Sequence, residues 1–223
     1  FRSFITFMDW VLYHPQGGYY SQGKGLGQRG DFFTSAHLGS DFGELLAIQG
    51  VECWHKLGKP NPFYWIEMGA GQGFFAADFL KTIATDFPDC LACLQYLIIE
   101  RSPGLMAQQK HHLETVLNPI HPEIFHRVHW KNWDDLADES LVGCFFSNEL
   151  VDAFPVHQVI AQNGTLQEVY VTWENDRWTE VYGECSTHRL PQYFQEQNLD
   201  LTAPPYPDGY RTEVNLKIGR AHV

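Results

Sequence analysis

The chain has 223 residues, 44% of them apolar and 15% aromatic, enough to bury the core of one α/β domain or slightly less. Its formal charge of −12 argues against a nucleic-acid partner or an anionic membrane surface. No window approaches the roughly 18 uninterrupted apolar residues of a bilayer span, and five scattered cysteines, an odd number, suit a reducing compartment.

In chain order, Phe4, Phe7, Met8 and Val11 recur at helical spacing almost from the first residue, so the chain reads as cut at its N-terminus, with any targeting segment out of view. A cap at Thr34 or Ser35, then Leu38, Phe42, Leu45, Leu46, Cys53 and Trp54, predicts a long helix stopped at Gly58. After Pro60 and Pro62, Phe63 to Met68 is a short β-rich run, and Phe74 to Ile83 resumes a helical period. Gly69, Gly71 and Gly73 therefore occupy a strand-to-helix turn.

Leu94 to Glu100 predicts a buried strand. Ser102 and Pro103 predict an N-cap and first helical residue, with the helix running to about Val116. "RVHW" is a third short strand and Leu141 to Glu149 a fourth. Strands separated by helices predict an α/β fold with a parallel, doubly wound sheet. After Pro155, Asn163-Gly164 and the polar turn near Asn175 and Asp176 divide β-branched and aromatic runs, which predicts a small antiparallel insertion. "IGRAHV" (Ile218 to Val223) follows without structural logic and reads as an artefactual tail. The expected division is 1–58 as an N-terminal helical segment with a cofactor lip, 59–154 as the α/β core, 155–217 as the insertion and start of a return to the core, and 218–223 as the tail.

The glycine turn asks for a ligand that approaches backbone closely at a helix N-terminus. A nucleoside-triphosphate loop would need Gly-Lys-Ser/Thr, and nothing of that kind follows Gly73. A dinucleotide fingerprint would need a third glycine where Phe74 stands, which demotes that class. S-adenosylmethionine offers a carboxylate, an amine, a sulfonium and a ribose, so its site needs acids beside the glycines. Glu67, taken as part of the turn, suits the amine, and Glu100 at the next strand end suits both ribose hydroxyls. The plain alternative is a tight connection with a solvent-facing acid.

Five segments then carry a resemblance: "GDFFTSAHLGSDFGELLA" (Gly30 to Ala47), "IEMGAGQG" (Ile66 to Gly73), "IIERSPGL" (Ile98 to Leu105), "SNELVDAFPVHQV" (Ser147 to Val159) and "GYRTEVN" (Gly209 to Asn215). They occur in the order found in the MidA family, class I S-adenosylmethionine-dependent methyltransferases whose mitochondrial members resemble protein-arginine methyltransferases of respiratory complex I assembly. The resemblance implies a class I Rossmann-like fold whose C-terminal part is missing here. It implies that Gly69, Gly71 and Gly73, with Glu67 nearby, hold the donor's methionine end and that Glu100 holds its ribose. Asp31, Thr34 and Ser35 are similar to the family's lip over the cofactor, and Asn148, Glu149 and Asp152 would line the substrate side, toward a protein arginine. The implied compartment is the mitochondrial matrix in a eukaryote and the cytoplasm in a bacterium. The chain departs from the family at Met68, Ala70 and Gln72, where Leu, Pro and Arg are usual, and at Ala36, where Pro is usual, but no glycine is lost.

Other groups invite chemistry less strongly. Cys90 and Cys93 form a lone C-x-x-C without a second pair, and His111 and His112 point to different helix faces, so no metal is assigned. His157 reads as a structural histidine before a catalytic one. Asp152 as a helix cap and Glu149 as a merely exposed acid stay open, as do two rival functions: an NAD-type oxidoreductase and a non-catalytic cofactor-binding assembly factor.

Overall fold

The computed structural model describes residues 1–21, 39–136 and 141–216. In chain order the elements are β1 (Arg2–Ser3), α1 (Phe4–Tyr13), α2 (Asp41–Lys56), β2 (Phe63–Met68), α3 (Phe74–Asp86), α4 (Pro88–Cys93), β3 (Leu94–Ile99), α5 (Pro103–Leu117) and β4 (Val128–Lys131). There follow β5 (Gly143–Ser147), β6 (His157–Gln162), β7 (Thr165–Glu174), β8 (Arg177–Gly183), α6 (Arg189–Glu196) and β9 (Tyr210–Val214). The chain divides into two compact units, Pro15–Asp152 and Phe1–His14 with Ala153–Val223.

In the first unit the strands lie parallel in the order β4-β3-β2-β5. This is the α/β, Rossmann-like sheet that the alternation of apolar periods predicts. Phe75, Ala76, Phe79, Leu80 and Ile83 of α3 are buried against it. Trp65 of β2 meets Phe79 with ring centroids 4.4 Å apart, and Phe75 stacks on Phe146 of β5 at 4.5 Å. Helix α2 lies close on α3 through a small-residue face. A Cβ on Gly43 would fall 2.6 Å from the Asp78 Cβ, and Ala47, one turn on, is fully buried. Helix α2 starts at Asp41 after Ser40, later than the cap expected at Thr34 or Ser35, which themselves lie outside the described residues.

Ser102 caps α5 as expected, its Oγ accepting the Leu105 N–H at 3.3 Å, with Pro103 first in the helix. Helix α4 is a short element that the sequence reading did not resolve, and it carries the C-x-x-C pair. Burial, and then the neighbouring Cys93, push the Cys90 thiol up to about 12, which leaves it unreactive. All five cysteines are unpaired.

The second unit holds the antiparallel sheet β1-β7-β6-β9, with β8 on β7. Its two hairpins turn where the polar dipeptides predict. Asn163 and Gly164 have φ of 52° and 71°, and Asn175 and Asp176 have 50° and 57°, the left-handed pairs that tight hairpins require. Val159, Ala161 and Val214 pack with Leu190 and Phe194 of α6 into a separate core. His157 sits there with its Nδ1 2.7 Å from Oε1 of the fully buried Glu168. Burial alone would raise the Glu168 carboxyl, but the His157 bond and the Ser186 N–H outweigh it and hold the group below its ordinary range. His157 is thus a structural histidine of this sheet. Among the described residues no helix is long and apolar enough to cross a membrane.

Candidate functional site

The strand order of the parallel sheet reverses at β2: the chain passes to β3 and β4 on one side, then to β5 on the other. Such a switch point opens a crevice beyond the carboxyl ends of the strands, because connections leave in opposite directions. The register aligns three ends there, with Met68 of β2 opposite both Ile99 and Ser147. The glycine turn, Glu100 and Asn148-Glu149 therefore emerge at one edge.

Gly69, Gly71 and Gly73 have φ of 69°, 55° and 85°. The left-handed region costs another residue type roughly 1–2 kcal/mol each time, so three such positions in five residues demand glycine. Gly69 also lies under Leu150, whose Cδ1 would be 2.6 Å from an added Cβ. Among the described residues, none comes within 4 Å of a Cβ added at Gly71. Gly73 caps α3, and its N–H closes the turn on the Ala70 carbonyl at 2.8 Å. The first N–H groups of α3 point out of the helix here, which favours an anionic group.

Glu67 is inside β2 and not on the turn, 4% exposed, with Oε2 accepting the Tyr96 hydroxyl at 2.6 Å. Burial pushes its carboxyl up to about 7; the Tyr96 bond pulls the other way and the Glu100 charge adds to the rise. Glu100 directly follows β3 and is 8% exposed. Its Oε1 accepts the Ser102 N–H at 2.8 Å and its Oε2 accepts Gln109 Nε2 at 3.2 Å. Burial raises its proton affinity, opposed by the Ser102 and Gln109 hydrogen bonds and the Arg101 charge. A carboxylate accepts about four hydrogen bonds, and the Ser102 N–H, the Gln109 amide and the Arg101 backbone N–H do not exhaust that capacity. Beside the glycine turn, this carboxylate acceptor fits a ligand with two neighbouring hydroxyls and a polar amino-acid end.

Three residues here escaped the sequence reading. Gln109, on α5, is fully buried and ties Gly71 to Glu100, its Nε2 also donating to the Gly71 carbonyl at 2.8 Å. The signal was present as a glutamine in the leucine stripe Leu105, Leu113, Leu117. Leu150 fills the hollow that Gly69 leaves. Tyr20 has its hydroxyl pushed up by burial and by the charge of Asp152, which puts these two side chains near each other. Asp31, Thr34 and Ser35, the expected lip, lie outside the described residues.

At the end of β5, Asn148 is half-buried while Glu149 and Asp152 are exposed. Glu149 has φ of 50°, an uncommon conformation for a residue with a side chain and of the kind that collects at functional sites. Asp152 lies within a single 3-10 turn, Val151–Ala153. Glu149 thus follows closely on the carboxyl end of β5, with Asp152 three residues further along the chain.

A family profile described as "Putative S-adenosyl-L-methionine-dependent methyltransferase" matches residues 45–221. The chain belongs to this family. The match includes the whole glycine turn, Glu100 and the β5 end. Among its relatives, the Drosophila melanogaster "Protein arginine methyltransferase NDUFAF7 homolog, mitochondrial" is 31% identical over 74% of this chain and 40% of its own length. The Rattus norvegicus protein arginine methyltransferase NDUFAF7, mitochondrial, is 29% identical over 81% of this chain and 45% of its own. A Burkholderia thailandensis crystal structure bound to S-adenosyl-homocysteine superposes with a TM-score of 0.72 at 27% identity, covering 95% of this chain and 51% of that one. The chain thus spans about half the length of the relatives it matches. The family's class I methyltransferase fold and its S-adenosyl-L-methionine cofactor are those that the MidA resemblance implied.

Proposed function

We propose that this chain forms the donor-binding part of an S-adenosyl-L-methionine-dependent methyltransferase acting on a protein arginine side chain. The observation that carries the reading is one sheet edge holding both a turn with three left-handed glycines and the buried Glu100 carboxylate with lone pairs to spare. In this reading Gly69, Gly71 and Gly73 admit the methionine end of the donor, Glu67 acts near its amine from beneath, and Glu100 accepts the ribose hydroxyls. Asp31, Thr34 and Ser35 are assigned to a lip over that ligand on the resemblance alone.

When bound, the donor supplies an electrophilic methyl group on a sulfonium. The protein needs no covalent nucleophile of its own. Its part is to hold the acceptor in line and keep water out, which together account for much of the barrier reduction in such displacements. A guanidinium is planar and best held by carboxylates, and it must lose a proton as it reacts. Glu149 and Asp152, assisted by Asn148, are of the right type at the right edge. The names of the fly and rat relatives support arginine as acceptor and a mitochondrial setting, with which five unpaired cysteines agree.

The test uses the whole protein, labelled donor and an extract of its own cells to identify the labelled polypeptide. Transfer is then compared in Glu149→Gln and Asp152→Asn. Both variants should keep donor affinity near wild type while transfer falls at least about tenfold, equivalent to roughly 1.4 kcal/mol. Unchanged transfer in both would remove these carboxylates from the site.

A further inference from the structure

The buried face of α5 reads Leu105, Gln109, Leu113, Leu117, one polar side chain in a leucine stripe, and Gln109 is 0% exposed. Leucine would continue the stripe without a desolvated amide, so the amide has to be matched by hydrogen bonds. It makes three. Nε2 donates to the Gly71 carbonyl at 2.8 Å and to Glu100 Oε2 at 3.2 Å, and Oε1 accepts the Trp130 indole N–H at 3.0 Å. The indole can only donate, so Oε1 must face it and both N–H groups must face the two acceptors. Trp130 is itself placed by β4, the strand next to β3.

One amide thus links the centre of the glycine turn, the acid after β3 and the strand beyond. We infer that Gln109 is a positioning residue: it sets the Glu100 carboxylate so that its remaining lone pairs face two neighbouring hydroxyls of a nucleoside ribose, and it locks the Gly71 peptide plane beside it. The inference rests on the reading of Glu100 as the ribose acceptor. Gln109 touches no ligand atom itself. It takes one lone pair of Oε2 and the Ser102 N–H takes one of Oε1, with the Arg101 backbone N–H bonding the same carboxylate, and what remains of its acceptor capacity is offered to the diol. Without Gln109 the carboxylate loses its one side-chain anchor and is held by the Ser102 and Arg101 backbone N–H groups alone, so its plane is less tightly fixed.

The experiment measures calorimetric affinities for S-adenosyl-homocysteine and for its 2′-deoxyribose analogue, in wild type, Gln109→Met and Gln109→Glu, with melting temperatures alongside. Wild type should prefer the intact ribose by at least about tenfold. Gln109→Met fills the same space without hydrogen bonds, so both ligands should weaken and the preference shrink to within about threefold. Gln109→Glu sets a second carboxyl against Glu100 and the Gly71 carbonyl, so its affinity should recover as pH falls and that carboxyl takes up a proton. A lowered melting temperature with the ribose preference unchanged in either variant would make Gln109 merely structural and overturn the inference. Wild-type protein that binds both ligands equally well overturns it through Glu100, and wild-type protein that binds neither ends the donor-site reading as well.

Discussion

Glu67 is the residue whose setting most opposes its chemistry. The folded protein keeps its proton up to about pH 7, whereas an exposed glutamate releases it near 4.5. Between those values the folded state binds more protons than the unfolded chain, so this site's contribution falls as pH rises through the window. The full cost, on the order of 3 kcal/mol, is present above about pH 7. Glu67→Gln keeps an acceptor for the Tyr96 hydroxyl and removes the titration. The difference in melting temperature, variant minus wild type, should therefore climb by a few degrees between pH 5 and pH 8. A flat difference across that range would mean that Glu67 stays ionised in the fold. If its carboxylate also serves the donor's amine, the same variant binds donor more weakly at pH 8 while being the more stable protein, the trade-off expected of a functional acid under a glycine turn.

Among the elements, the α2 and α3 pair shows how closely small residues set the packing beneath the site. Alanine is the better helix former than glycine by about 1 kcal/mol, which alone would favour Gly43→Ala. Against that, the new Cβ would lie 2.6 Å from the Asp78 Cβ and 3.1 Å from the Phe79 backbone N, and neither is the far end of a flexible side chain. Overpacking of this kind costs about 1–3 kcal/mol, so it wins and the melting temperature should fall by several degrees. An equal or higher melting temperature would show that α2 can slide on α3. Much of this level was legible from sequence. The Pro62 and glycine boundaries place β2, Ser102-Pro103 places the start of α5, and Asn163-Gly164 places a hairpin, because each rests on a local backbone preference. Features carried by distant contacts were not. Ser102-Pro103 says nothing of Gln109, whose partners lie 38 residues back at Gly71 and 21 ahead at Trp130. A strand buried on both faces shows no polar alternation, so nothing local separates Glu67 as an inward acid of β2 from a residue of the turn. Helix α1 was legible as a helix, but its grouping with the antiparallel strands depends on β1 pairing with β7, Arg2 opposite Val171, and no local period encodes that.

At the scale of the whole molecule, the charge of −12 bears on the acceptor more than on the donor. A cationic arginine-bearing segment would be drawn to Glu149 and Asp152 at the exposed crevice edge, where added salt screens attraction within about 10 Å at 0.1 M. If the proposed protein-arginine activity holds, the efficiency of transfer should therefore drop as ionic strength rises, while donor affinity, set by buried hydrogen bonds, changes little. Parallel loss of both would place the salt effect on the fold itself. The donor site is the more fundamental matter, and calorimetric titration of S-adenosyl-homocysteine into wild type and Glu100→Ala tests it most directly. Two charge-assisted hydrogen bonds at roughly 1.5–3 kcal/mol each would be lost in the variant, so one-site binding should weaken about a hundredfold or more relative to wild type, while the variant stays folded with a melting temperature lowered by the partners that Gln109 and the Ser102 N–H lose. Affinities within threefold of each other would contradict the assignment of Glu100 to the donor, and with it the site built around the glycine turn.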